Sequence, residues 1–312
     1  MRRALLVGIN EYPGCPLKQC EDDVEKLRSA LSNHDDGSPN FSCRPVVSSK
    51  EIITRGYLKK LIEELFASAA DAALFYFSGH GTEEKSHGVL VTTDFTEQEL
   101  GVSMEYLLAM AADATARINE IFIVLDCCHS GYGGKSWVVS GGDVIPKGVS
   151  ILTASAEKEV AYEGVFTSLI YDALMGGAAD VLGKVTAARV YSYLDQTLGA
   201  WEQRPHFKAN LSKLEALRFC EPAVALPTLR QLTKIFPTAE HELALSPAYE
   251  PTEPPADPAK EAVFGTLQKY RAARLVVPIG EEHLYYAAKN SKSCRLTPLG
   301  RFYWSLVDRN KL

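Results

Sequence analysis

No stretch of the 312 residues runs to 18 uninterrupted apolar positions, so no membrane-spanning helix is expected. The apolar run in the opening "MRRALLVGINEYPG" is too short for a secretory signal and lacks a small-residue cleavage site, so it reads as a first strand. No C-x-x-C pair occurs and the seven cysteines are odd in number, which argues against a zinc site and a disulfide framework. The simplest setting is a reducing, cytoplasmic one. No internal repeat is found. There is no excess of positive charge either: the formal net charge is −6, which does not suit a nucleic-acid coat protein. What remains is a chain 46% hydrophobic and 23% charged, long enough to bury a sizeable core without disulfides or metals.

Short β-type runs alternate with helical ones. "RALLVGI" (3–9), "SCRPVVSS", "AALFYFSGHG", "EIFIVLDCC" and "GVSILTAS" read as strands. "EDDVEKLRSALSNH" carries Val24, Leu27, Ala30 and Leu31 on one face, and "YLKKLIEELFASA" carries Leu58, Leu61, Ile62 and Leu65, so both read as helices. "FTSLIYDALMGGA" and "TAARVYSYLDQTLG" are two more. Two of the strands are apolar on both faces, as in the middle of a covered parallel sheet. The class is α/β with a mostly parallel sheet. Residues 1–222 are expected to form this domain. Residues 223–258, with five prolines in "LSPAYEPTEPPADPAK" (245–260), read as a linker that is proline-rich at its end. Residues 259–312 carry ten Lys/Arg against four Asp/Glu, a net +6 that leaves −12 for the rest. They read as a small basic domain. "LTPLGRFYWSLV" should start a helix there, with Thr297 as N-cap and Pro298 at its first position.

Two strands end in reactive residues: "LFYFSGHG" carries His80, and "IFIVLDCC" ends in Cys128. Sites in open parallel sheets form at the carboxyl ends of strands. Neighbouring parallel strands would therefore bring His80 and Cys128 to one edge, a thiol beside a base that can take its proton. Gly79 and Gly81 flank His80, leave room for a substrate backbone and offer a bare N–H to a developing oxyanion. Cys127 and Cys128 should face opposite sides of the strand, so only one can meet His80.

"YFSGHG" and "LDCCHSG", with His80 and Cys128 48 residues apart, resemble the motifs of the caspase–metacaspase clan of cysteine peptidases. "ALLVGINEYPGCPLKQCEDDVEKL" and "ILTASAEKEVAYEGVFTSLIYDAL" are similar to further segments of that clan, so the likeness covers roughly residues 3–220. It implies a caspase-like fold, with a mostly parallel six-stranded sheet flanked by helices. Cys128 would be the nucleophile, with Cys127 where the family has serine. His80 would be general base and proton carrier, and the main-chain N–H groups of Gly81 and Cys128 the oxyanion hole. His129 reads as a loop residue and not as the base. Caspases that cut after aspartate have glutamine at the position of Asp126. Asp23, Ser78 and Asp126 instead match the metacaspase pocket. Two carboxylates converging on one pocket need a cation between them, which a substrate Arg or Lys supplies. The expected activity is endoproteolysis after Arg, with Lys accepted and Asp refused.

The loop "YGGKSWVVSGGDVIPKG" (132–148) matches one that is often self-cleaved in the family, with Lys135 and Lys147 as candidate processing sites. Many metacaspases need calcium. Asp94 matches one such position, but no aspartate cluster is in register, so no cofactor or metal is assigned. The other cysteines (Cys15, Cys20, Cys43, Cys220, Cys294) read as packing thiols, and Tyr76 and Phe77 as core. The tail looks like a winged-helix module. Its charge would suit DNA phosphates or an acidic protein surface, and the protein partner is favoured over nucleic acid. The resemblance further implies a compact bacterial-type protein acting in cell death or antiviral defence. Its partners would be a protein substrate and an activating partner or upstream protease. The alternatives are a caspase-fold scaffold and a DNA- or partner-binding regulator.

Overall fold

A computed structural model describes residues 1–84, 87–128, 145–154, 164–198 and 205–312, with Glu83, Glu84, His87 and Cys128 described through the main chain alone. The first compact unit comprises Met1–Ala179 and Lys184–Cys220. Its elements in order are β1 (Arg2–Gly8), α1 (Cys20–Ser32), β2 (Ser42–Val47), α2 (Arg55–Phe66), β3 (Ala70–Glu84), β4 (His87–Val91), β5 (Gly101–Ser103), α3 (Met104–Ala114) and β6 (Ile118–Cys128). They continue with β7 (Val149–Thr153), α4 (Val165–Asp172, extended by a π-helical turn Ala173–Gly177), β8 (Lys184–Val185), α5 (Ala187–Leu198), β9 (His206–Asn210) and β10 (Arg218–Phe219).

The main sheet runs β2-β1-β3-β6-β7-β9, six strands of which the first five are parallel and β9 is antiparallel. Strand β3 extends past this sheet, where its last residues pair antiparallel with β4 and β4 pairs with β5. The expected mostly parallel sheet is thus present, and its central strands are apolar on both faces for the expected reason. On one face Leu5, Val7, Phe75, Phe77, Ile121 and Ile123 pack with Leu58, Leu61 and Ile62 of α2 and Leu107 and Ala111 of α3. On the other, Leu6, Leu74, Tyr76 and Phe122 pack with Val24, Leu27 and Leu31 of α1, Phe166 and Ile170 of α4, and Val190 and Leu194 of α5. Each fully buried aliphatic or aromatic side chain contributes about 1.5–3 kcal/mol. The sheet is therefore a rigid platform for whatever sits at its carboxyl edge.

Local chemistry sets the helix starts. Thr54 accepts from the Tyr57 N–H and Ser103 from the Tyr106 N–H, capping α2 and α3. Helix α1 has no side-chain cap and instead carries Glu21, Asp22 and Asp23 in its first turn, where the helix dipole favours acids. Gly8 ends β1 directly beneath that turn, and a Cβ there would overlap the Cys20 carbonyl. A bare residue lets α1 begin against the sheet edge, and this brings Asp23 to β3.

The second unit comprises Asp180–Gly183 and Glu221–Leu312, so it starts before the proline-rich segment. The expected linker 223–258 holds α6 (Leu226–Leu229), α7 (Leu232–Ile235) and β11 (Glu242–Ala244). Val224, Leu229, Leu232, Phe236 and Leu245 are buried in this unit's own core with Phe264, Leu267 and Tyr270. Apolar residues too sparse to show a helical period in the sequence are here the floor of a small domain. Then follow α8 (Pro258–Ala272), β12 (Val276–Ile279), α9 (Leu284–Lys289), β13 (Ser293–Leu296) and α10 (Pro298–Asp308), with an antiparallel sheet in the order β11-β13-β12. Thr297 caps α10 through the Gly300 N–H, and Pro298 takes its first position. Where a winged-helix module would carry a hairpin, the β12–β13 connection carries the short helix α9.

Candidate active site

The carboxyl ends of β1, β3 and β6 gather the residues singled out in the sequence. In the β3–β6 register Ser78 pairs with Asp126, Gly79 with Cys127 and His80 with Cys128. Gly81 follows at the point where β3 leaves β6 for β4, paired with Leu90. Cys127 is buried in the core shared with Ile123 and Leu125.

His80 is buried and held on three sides. Its Nε2 lies 2.7 Å from the Cys15 carbonyl, its main-chain N–H donates to the Tyr12 hydroxyl at 3.0 Å, and its ring centroid is 4.5 Å from that of Tyr12. A carbonyl only accepts, so Nε2 carries a hydrogen and Nδ1 is the nitrogen left to take a proton. The Tyr12 hydroxyl donates in turn to the Val91 carbonyl at 3.1 Å, and burial pushes its pKa well up, keeping the donor in place. The space beside Gly79, expected to admit substrate, is occupied by this hydroxyl: a Cβ at Gly79 would overlap it. Gly79 is bare to let Tyr12 reach the His80 main chain. Neither Tyr12 nor Cys15 was singled out as a site residue. Cys15 is exposed, and its main-chain carbonyl, which no side-chain pattern reveals, does the holding.

The acid pocket assembles across three elements. Asp23 of α1 is 1% exposed, whereas its neighbour Asp22 faces solvent. Its Oδ2 accepts from the Ser78 hydroxyl at 3.4 Å, Lys26 Nζ lies 4.0 Å from Oδ1, and Oδ1 has no hydrogen-bond partner. Asp126 is 4% exposed and its Oδ2 accepts from Thr167 Oγ1 at 2.6 Å. Thr167, in the first turn of α4, stands 2.6 Å from the Tyr76 hydroxyl. With the single Thr167 proton given to Asp126, Tyr76 donates to Thr167, which makes a chain Tyr76–Thr167–Asp126. Tyr76 is core as expected, and also part of this chain. Thr167 was missed because a lone threonine in an apolar helix carries no signal. Burial, followed by the Asp126 charge, raises the Asp23 carboxyl to about 7, and burial raises Asp126 to about 6. Leu17, Gln19, Cys20, Gly79 and Gly164 complete a narrow pocket around Asp23, Ser78 and Asp126.

The remaining candidates lie elsewhere. Lys147 is at the opposite edge of the sheet: β7 begins beside Ile121, seven residues before Cys128, a separation of roughly 23 Å along the strand. Its turn is pinned, with the Gly148 N–H donating to the Asn210 carbonyl at 2.7 Å and Asn210 Nδ2 to the Ile145 carbonyl at 2.9 Å. Lys135 and His129 fall outside the described residues. The described residues do not fit a calcium site. Asp94 Oδ1 accepts from the Arg55 N–H and the Thr92 hydroxyl at the start of α2, and no group of three or more His, Cys, Asp or Glu side chains converges among the described residues.

A family model described as the caspase domain matches residues 1–214. The chain belongs to the caspase-domain family. Metacaspase-2 and metacaspase-3 of Trypanosoma brucei brucei are each 30% identical to it, over 45% of this chain and 46% and 44% of theirs. The chain thus spans less than half the length of these relatives. The crystal structure of a protein from Geobacter sulfurreducens superposes with a TM-score of 0.51 at 15% identity, covering 70% of this chain and 99% of that one, which shows a shared fold. The family match ends before Glu221–Leu312, the larger segment of the second unit. Among the described residues no helix is long and apolar enough to cross a membrane.

Proposed function

We propose that this caspase-family chain is a cysteine endopeptidase that cuts proteins after Arg, and less readily after Lys, with Cys128 as nucleophile and His80 as base. The observation that carries the reading is the pairing of His80 with Cys128 at the sheet edge, two register steps beyond the Ser78–Asp126 pair and its partner Asp23. The Cys128 thiol gives its proton to His80 Nδ1 as Sγ attacks the scissile carbonyl carbon. The resulting oxyanion takes hydrogen bonds from the Gly81 and Cys128 N–H groups. The C–N bond breaks as the proton passes from His80 to the leaving amine. Water then adds to the thioester, with His80 taking its proton and returning it to sulfur. The Cys15 carbonyl holds Nε2 throughout and steadies the imidazolium.

Specificity follows from charge. Two buried carboxylates with raised pKa values, one with an unpartnered oxygen, gain from a desolvated cation between them. A guanidinium offers both carboxylates a donor, whereas an aspartate side chain would add a third negative charge. The pocket is narrow as it stands, so substrate must part Asp126 from Leu17 and Gln19. Processing at Lys147 would be intermolecular, because its pinned turn stands far from the molecule's own Cys128. Lys135 is the other candidate. Calcium is not required by this reading. A role in cell death or antiviral defence, triggered by a partner, rests on the family resemblance.

The test is hydrolysis of fluorogenic peptides ending in Arg, Lys or Asp by wild type and Cys128→Ala, with and without calcium. Turnover after Arg that disappears in Cys128→Ala is expected. Turnover after Asp would overturn the pocket assignment.

A further inference from the structure

At the edge of the sheet opposite the active site lies a second cavity, of about 440 Å³. Asn119 and Glu120, near the start of β6, line it together with Thr115 at the end of α3, Lys147 before β7, and Ser212 and Lys213 after β9. Glu120 is 2% exposed. Its Oε2 accepts from the Glu215 N–H at 3.1 Å, while Oε1 has no hydrogen-bond partner. A buried carboxylate in that condition is expensive unless a cation or donor meets it.

The neighbouring cations are directed elsewhere. Arg2 bonds the Ala216 carbonyl, Lys184 Nζ the Leu214 carbonyl at 2.6 Å, and Lys213 Nζ pairs with Glu215 at 2.6 Å. Burial raises the Glu120 carboxyl to about 7 in spite of the charges of Arg2 and Lys184, with the Glu215 charge adding to the rise. Lys147, on the rim, is exposed and makes no ion pair among the described residues. The cavity therefore offers a carboxylate with one oxygen that lacks a donor, and an ammonium that lacks an acid. Its size suits a metabolite.

We infer that this cavity binds a small zwitterion of amino-acid size, its ammonium on Glu120 and its carboxylate on Lys147. Thr115, Asn119 and Ser212 supply neutral hydrogen bonds at the rim. Ligand and protein each satisfy the other's unpaired charge, and neither a lone cation nor a lone anion can do both.

The experiment is calorimetric titration of the full chain carrying Cys128→Ala, which makes binding independent of any peptidase activity. The probes are glycine, L-arginine and L-glutamate, with ethylamine and acetate as single-charge controls. At least one zwitterion should saturate the site with a Kd of about 1 mM or tighter. Glu120→Gln and Lys147→Gln should each weaken it by about tenfold or more, the usual effect of losing a charged hydrogen-bond partner. Should Glu120→Gln fail to fold, Lys147→Gln alters an exposed residue and carries the test by itself. No saturable binding of any zwitterion overturns the inference. So does binding that Lys147→Gln leaves unchanged, or ethylamine or acetate binding as tightly as the zwitterion.

Discussion

Asp23 is the residue at which stability and function should pull in opposite directions. It is buried, one of its oxygens has no hydrogen-bond partner, and burial together with the Asp126 charge raises its pKa from 3.8 to about 7. A rise of about three units corresponds to roughly 4 kcal/mol against the ionised form in the folded state, as an order of magnitude. The folded chain holds this proton more tightly than the unfolded one. The carboxyl's contribution to stability is therefore complete below pH 3.8 and is lost as pH rises through about 7. Asp23→Asn removes the titration while keeping the shape. In a Cys128→Ala background, urea unfolding at pH 8 should show Asp23→Asn more stable than its parent by about 2–4 kcal/mol. The gap should close as the pH is lowered towards 4. In the active enzyme the same change should lower kcat/KM after Arg by about ten- to a hundredfold, the effect of one charged hydrogen-bond partner. A stability difference equal at pH 5 and pH 8, or a variant less stable than its parent at pH 8, would refute the reasoning that Asp23 is held at a cost for a cation.

Three further substitutions probe the site. Cys127→Ser puts a hydroxyl into the core and should cost about 1–3 kcal/mol of stability while keeping turnover; loss of turnover at normal stability would move the nucleophile assignment from Cys128 to Cys127. Gly79→Ala forces Tyr12 off the His80 main chain and should lower kcat by tenfold or more with KM little changed, and a fully active variant would show that the Tyr12 contact is dispensable. Thr167→Val removes the donor to Asp126, which lowers that carboxyl's pKa, so the acid limb of the kcat/KM profile for Arg peptides should move to higher pH; an unmoved limb would remove Asp126 from the pocket.

The contrast between the two units shows where reading the sequence works. Strands β3 and β6 were legible because a strand buried on both faces must be apolar throughout, and few other segments look like that. Helices α1 and α2 were legible from their apolar faces. The strands β4 and β5 were not read: their five and three residues are too short for a period to show. Helix α3, "MEYLLAMAADA", was not read either. The linker reading failed between residues 223 and 245 because a small domain buries single apolar residues from short turns, and proline content hid them.

By itself the sequence determined the α/β class and the caspase-domain family, and it singled out His80, Cys128, Asp23 and Asp126 as candidates, since each rests on a residue type at a fixed place along the chain. Only the tertiary structure decided that Asp23 is buried while its neighbour Asp22 is not, that the bare Cα of Gly79 serves Tyr12, that a Cys15 carbonyl fixes the histidine tautomer, that Thr167 carries Asp126, and that Lys147 stands at the far edge. These are contacts between segments distant in sequence, several made by main-chain atoms that every residue possesses. What they join is set by how α1, the loop after β1 and α4 pack on the sheet, and no local pattern encodes that.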